Sequence, residues 1–188
     1  MPRREHRPYQ LVFDFRAPAE PSPLPCQASP TGLYQDLAGY GAREEHLGRF
    51  VRVVNDEIIV RAPVDAAQYL LEHVYVPFDA FDQEELHVLM LNTKNRITHE
   101  TMVYRGTVNS VYIRPAELFK EAVRVNAPAI LLAHNHPGGS ADPSPEDERT
   151  TAVAVQAGGI LGISVLDHLV IGRGTWISLR EKGLGFDK

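Results

Sequence analysis

The chain has 188 residues, 44% of them hydrophobic and 23% charged, the balance of a globular domain with a core of ordinary size. Its 24 acidic residues outnumber 19 basic ones, and a net charge of −5 carries no clear nucleic-acid signature. The single cysteine, Cys26, excludes an internal disulfide and a cysteine-built zinc site within one chain, so any metal must be held by histidine and carboxylate.

The first residues, MPRREHRP, are basic, but no apolar stretch follows them as in a secretory signal. No apolar run reaches the roughly 20 residues of a membrane span. The expectation is therefore a cytoplasmic protein without a membrane partner. Residues 1–30 hold seven of the fourteen prolines. Proline fixes φ and lacks the backbone donor, so this stretch predicts a flexible arm rather than a helix or central strand. Residues 31–62 form an N-terminal extension. Within it, RFVRVVNDEIIVRA reads as two short strands around Asn55-Asp56, a possible hairpin.

The main domain is expected over residues 63–188. PVDAAQYLLEHV opens on Pro63 and repeats Ala67, Leu70, Leu71 and Val74 at helical spacing. LHVLMLN, Leu86 to Asn92, is continuously apolar, as in a strand buried on both faces. TKNR turns the chain, and ITHETMVY returns as a second strand. PAELFKEAVRVN predicts a helix with Leu118, Phe119, Ala122 and Val123 on one face. AILLAH is a short central strand. SPEDERTTAVAVQA is a helix predicted to stop at Gly158-Gly159. ISVLDHLVIG and TWISL form a closing hairpin across Arg173-Gly174. This order predicts an α/β fold with a mixed sheet.

The chemistry concentrates in AILLAHNHPGGSADPSPEDERTT. His134 and His136 are two apart, so on a strand both imidazoles point to one face. Pro137 ends strand pairing and leaves the pair at a sheet end. Ser144 suits the N-cap of the next helix, Pro145 its first position, and Asp147 its first turn. That turn folds back beside the strand end. Two neutral imidazoles and a carboxylate make a zinc set with one position left for water. An isolated H-x-H is common, and Ser-x-x-Asp alone is a capping box. Their combination between residues 134 and 147, around a turn-rich loop, points to one metal ion.

H-x-H-P, six residues, then S-x-x-D resembles the JAMM motif of MPN/JAB-domain metalloproteases. HNHPGGSADPSPED, the preceding RGTVNSVYIRPAELFKEAVRVNAPAILLA and the later VLDHLVIG resemble its bacterial RadC-like branch, from about Val60 to Leu179. The resemblance implies a JAB/MPN, cytidine-deaminase-like architecture, with the mixed sheet flanked by helices. It implies His134, His136 and Asp147 as ligands of one zinc ion, and Ser144 as hydrogen-bond donor to a developing oxyanion. It also implies a general-base glutamate on an earlier strand. Glu84 and Glu85 precede the apolar run, and strand alternation lets only one face the metal. The branch pattern of Gln-Glu before the strand matches Gln83-Glu84 and favours Glu84, whereas the pattern of some other JAMM members favours Glu85. Glu100 and Glu117 fit a strand face and a helix first turn instead.

Two departures are visible. Pro115-Ala116-Glu117 stands where the branch usually has Pro-Arg-Glu, and no helix-hairpin-helix region is recognisable. Of Asp167 and His168, only one can face the metal from a regular strand, and Asn135 points away from its two neighbours. The resulting expectation is a zinc-dependent peptidase or isopeptidase acting on a peptide or protein substrate. Its alternative is a metal-binding accessory or interaction module, in DNA repair or a mobile element, with little turnover.

Overall fold

The structure is a computed structural model that describes residues 44–46, 49–54, 57–106 and 113–186. The proline-rich segment 1–30 and the Asn55-Asp56 turn lie outside the described residues.

The strands are β1 (Glu44–His46), β2 (Arg49–Val53), β3 (Glu84–Leu91), β4 (Ile97–Gly106), β5 (Ala129–Asn135), β6 (Ser164–Gly172) and β7 (Thr175–Ser178). The helices are α1 (Pro63–His73), α2 (Pro115–Arg124), α3 (Pro145–Leu161) and the short α4 (Leu179–Lys182). One sheet has the order β1-β2-β4-β3-β5-β6-β7. Among the described strands only β5 and β6 pair in parallel, across the α3 crossover, so the sheet is mixed as the sequence predicts.

β3 and β5 form the centre of the sheet, and both are buried almost from end to end, which explains their unbroken apolar runs. On one face, Leu89, Leu91, Leu131, Ala133, Leu169 and Ile171 pack with Ala66, Ala67 and Leu70 of α1. On the other, Leu86, Val88, Met90, Ile130 and Leu132 pack with Leu118, Phe119 and Ala122 of α2 and Ala154 of α3. The register Leu86↔His134 and His87↔Ala133 therefore decides which polar side chain meets which helix layer.

Three local expectations are corrected. Residues 57–60 do not return as a strand on β2. β2 pairs with β1 and β4, while Ile59 makes only a single bridge to Arg96. Val54, Ile58 and Val60 instead bond beside the β3–β4 turn, through Val54 N to Thr98 O, Ile97 N to Ile58 O and Val60 N to Asn95 O. On α2, Val123 is 57% exposed, and Glu121 takes a buried place instead. Glu121 is paired there with Arg124 at 2.6 Å and sits near Lys120.

The third correction concerns α3, which runs through Gly158-Gly159 and ends at Gly162, whose φ of 69° is the left-handed cap geometry. Gly158 is small for packing rather than for termination. A Cβ there would collide with Ile163 O and press on Val165 and Phe119.

Candidate metal centre

His134 and His136 sit at the C-terminal end of β5 and just beyond it. The chain after His136 is laced back to the β6–β7 end by His136 N to Ile171 O, Gly139 N to His136 O and Arg173 N to Gly139 O. This brings the start of α3 beside the end of β5. The cap of α3 is reciprocal. Ser144 Oγ accepts from Asp147 N at 3.2 Å, and Asp147 Oδ2 accepts from Ser144 N at 2.7 Å and from Ser144 Oγ at 2.7 Å.

The cap leaves Asp147 Oδ1 to face the imidazoles. His134 Nε2 lies 3.1 Å from His136 Nε2 and 3.1 Å from Asp147 Oδ1, and His136 Nε2 lies 3.6 Å from Asp147 Oδ2. Bonds of about 2.0–2.1 Å from a tetrahedral ion set ligand atoms about 3.3 Å apart. The three side chains, with one ligand atom each within 4.8 Å of the others, could therefore hold a metal ion with little rearrangement. His134 and Asp147 are buried, while His136 keeps 18% of its side chain exposed and marks the solvent side.

The electrostatics fit the same reading. Burial works to raise the Asp147 carboxyl, but hydrogen bonds from His134 and His136 overcome it and hold the group well below the usual carboxylate range. The hydrogen bond to Asp147 raises His136. His136 Nδ1 donates to Ser140 O at 3.2 Å, and a carbonyl can only accept, so whenever the ring is neutral, as a metal ligand must be, its lone pair lies on Nε2, toward the centre.

The two adjacent glutamates separate by strand alternation. Glu84 shares the face of Leu86 and His134. Its Oε2 is buried with no hydrogen-bond partner, and burial raises its pKa while the charges of His134 and His136 pull it down. Glu85 lies on the opposite face, where Oε2 meets His87 Nε2 at 3.2 Å and Oε1 meets Arg105 Nε at 3.2 Å. Glu100 joins that opposite cluster, and Glu117 pairs with Arg114 at 2.7 Å at the start of α2.

Asn135, fully buried between the two histidines, brackets Glu84. Its Oδ1 accepts from Glu85 N at 2.7 Å, and its Nδ2 donates to Gln83 O at 3.2 Å. The amide thus grips the backbone on both sides of Glu84. Sequence alone placed Asn135 away from the metal and could not name its partners, which are about 50 residues distant. Asp167 and His168 divide as alternation requires. Asp167 accepts from Ser178 Oγ and from the backbone of His168 and Arg180, tying β6 to β7 and α4. His168 Nε2 stands 2.9 Å from His134 Nδ1, and its Nδ1 stands 2.6 Å from Thr151 Oγ1. Complete burial lowers His168 to about 3, so it is neutral. Thr151 carried no signal beyond its helical spacing from Asp147.

A mixed sheet flanked by helices, with a two-histidine, one-carboxylate centre at the end of a central strand, defines an α/β protein of the JAB/MPN type. The chain belongs to the RadC-like JAB domain family, whose sequence profile matches residues 60–184. It is 48% identical over 134 residues to a UPF0758 protein of Chloroflexus aggregans, covering 71% of this chain and 57% of the relative. A UPF0758 protein of Roseiflexus sp. is 43% identical over 134 residues, covering 71% of this chain and 56% of the relative. One from Listeria monocytogenes serovar 1/2a is 40% identical over 139 residues, covering 73% of this chain and 60% of the relative. The chain thus spans a little over half the length of these relatives. No helix among the described residues is long and apolar enough to cross a membrane.

Proposed function

We propose that the protein is a zinc-dependent hydrolase of amide bonds, a peptidase or isopeptidase, with His134, His136 and Asp147 as ligands. The observation that carries this reading is the partnerless, buried Glu84 Oε2 on the same sheet face as three converging ligand atoms. A purely structural cluster has no use for an unpaired buried carboxylate oxygen.

A bound zinc ion supplies Lewis acidity, polarising a carbonyl and acidifying water. Glu84 takes the proton of the attacking water at Oε2 and delivers it to the leaving amine. Asn135 holds the Glu84 backbone so that this oxygen cannot drift. Ser144 Oγ, whose proton rests on Asp147 Oδ2, turns it toward the oxyanion as charge develops on the substrate carbonyl. Substrate enters from the His136 side, and a peptide or protein chain is the partner expected there.

The test has two parts. Purified protein is analysed for metal, then screened on peptide and isopeptide libraries beside Glu84→Gln. About one zinc per chain, with turnover that Glu84→Gln removes while retaining metal, is the expected result. Iron fits the same donor set, and its recovery in place of zinc would overturn the metal assignment. Stoichiometric metal without turnover on any amide substrate would leave a metal-holding interaction module.

A further inference from the structure

The His134 ring must present a bare Nε2 to a metal, and its other nitrogen must then carry the proton. Unlike His136, which rests on a carbonyl, His134 Nδ1 faces another histidine, and a histidine can donate or accept. The neighbour alone decides nothing. The decision lies one residue further away, at Thr151.

Thr151 Oγ1 is 2.6 Å from Asp147 O and 2.6 Å from His168 Nδ1. Two oxygens at 2.6 Å need a proton between them, and the backbone carbonyl has none to give. The single hydroxyl proton therefore points to Asp147 O. The hydroxyl oxygen has only lone pairs left for His168, so His168 Nδ1 donates. A neutral imidazole carries one N–H, so His168 Nε2 is bare and accepts. At 2.9 Å, His134 Nδ1 is then the donor, so the neutral ring that a metal requires has its lone pair on Nε2, facing His136 and Asp147. Every member is buried and each proton has one direction.

We propose that Thr151 and His168 are positioning residues that set the tautomer of His134, so that a carbonyl in the first turn of α3 dictates which imidazole nitrogen is free to bind metal. The proposal rests on the metal-centre reading above. It also explains a spacing, since the carbonyl that starts the relay belongs to Asp147, itself a ligand. Asp147 thus presents its carboxylate to the ion and, through its backbone, orients the opposing imidazole.

Thr151→Val keeps the shape and removes the acceptor, so His168 is free to move its proton to Nε2 and push that of His134 toward the centre. Zinc affinity is measured by chelator competition on wild type, Thr151→Val and Thr151→Ser, with urea unfolding of each metal-free protein. Thr151→Val is expected to weaken zinc about 10–100-fold, whereas Thr151→Ser retains wild-type affinity. Unchanged affinity in Thr151→Val, or an equal loss in Thr151→Ser, overturns the proposal. Nitrogen-15 NMR of the imidazoles in metal-free wild type should place the His168 proton on Nδ1, and a proton on Nε2 overturns it even where zinc binds. A wild type that binds no metal would sink the hydrolase reading, while the His168 tautomer would still decide the relay.

Discussion

Two histidine–carboxylate clusters among the described residues lie on opposite faces of the same sheet, and they differ in what their ring nitrogens have left to offer. On the α1 face, His87 is closed. Its Nδ1 meets Glu100 Oε1 at 3.1 Å and its Nε2 meets Glu85 Oε2 at 3.2 Å, with Arg52 on Glu100 at 2.7 Å and Arg105 on Glu85 at 3.2 Å. Tyr69 also donates to Glu100, and Tyr75 stands edge-on to the ring. Burial lowers His87, but the two carboxylates overcome it and raise the group, as suits an imidazolium with both N–H bonds used. On the α2–α3 face, His134 is open. One nitrogen is held by a neutral histidine and the other meets only potential ligands. The same residue types therefore make a structural ion cluster when acceptors surround the ring, and a group that could hold a metal ion when a lone pair is left over.

The largest expected contrast between the two faces is in metal. His134→Ala with His136→Ala should abolish zinc binding, while His87→Ala should leave the stoichiometry unchanged in elemental analysis of folded protein. Full zinc occupancy in the double variant would erase the distinction. Next comes catalysis on any substrate found by screening. Glu84→Gln should cost about 10²–10⁴-fold in kcat with metal retained. Its neighbour Glu85→Gln would be nearly silent by strand alternation alone, but its burial against His87 makes it a stability variant. We expect it to lose about 1–3 kcal/mol in urea unfolding with turnover per folded molecule unaltered.

The closed cluster also has a pH signature of its own. His87→Gln removes a buried charge between two carboxylates and should cost roughly 3–5 kcal/mol. Because the folded pKa of His87 is raised above the unfolded value near 6.5, its stabilisation is complete below 6.5 and is lost as pH climbs through the raised value. Wild type should therefore lose stability over that window and His87→Gln should not. Parallel stability–pH curves for the two proteins would show that the ring is not charged in the fold. A loss as modest as that of Glu85→Gln is expected at Asn135. Asn135→Ala leaves the Glu85 N–H and Gln83 carbonyl without partners and should cost about 1–3 kcal/mol, with kcat falling further than zinc affinity.

Sequence by itself determined the elements whose signal is local. Near-continuous apolar runs announced β3 and β5, because a strand covered by helices on both faces is buried along most of its length. H-x-H and S-P-x-D placed two imidazoles and a capped carboxylate together, because strand period, proline and the N-cap act within a few residues. It left Glu84 and Glu85 as alternatives, and the register Leu86↔His134 put Glu84 on the metal face. Tertiary structure alone decided what depends on distant partners. Gly158 reads as a helix stop, yet it lies inside α3, where a Cβ would collide with Ile163 O and press on Val165 and Phe119. Residues 57–60 read as the second strand of a hairpin, yet Ile58 and Val60 bond to Ile97 and Asn95 at the β3–β4 turn, partners that lie about 35 residues further along the chain. His168, Thr151 and Asn135 have no local pattern, since hydrogen-bond direction is set by whichever donor or acceptor folding brings opposite each ring and amide.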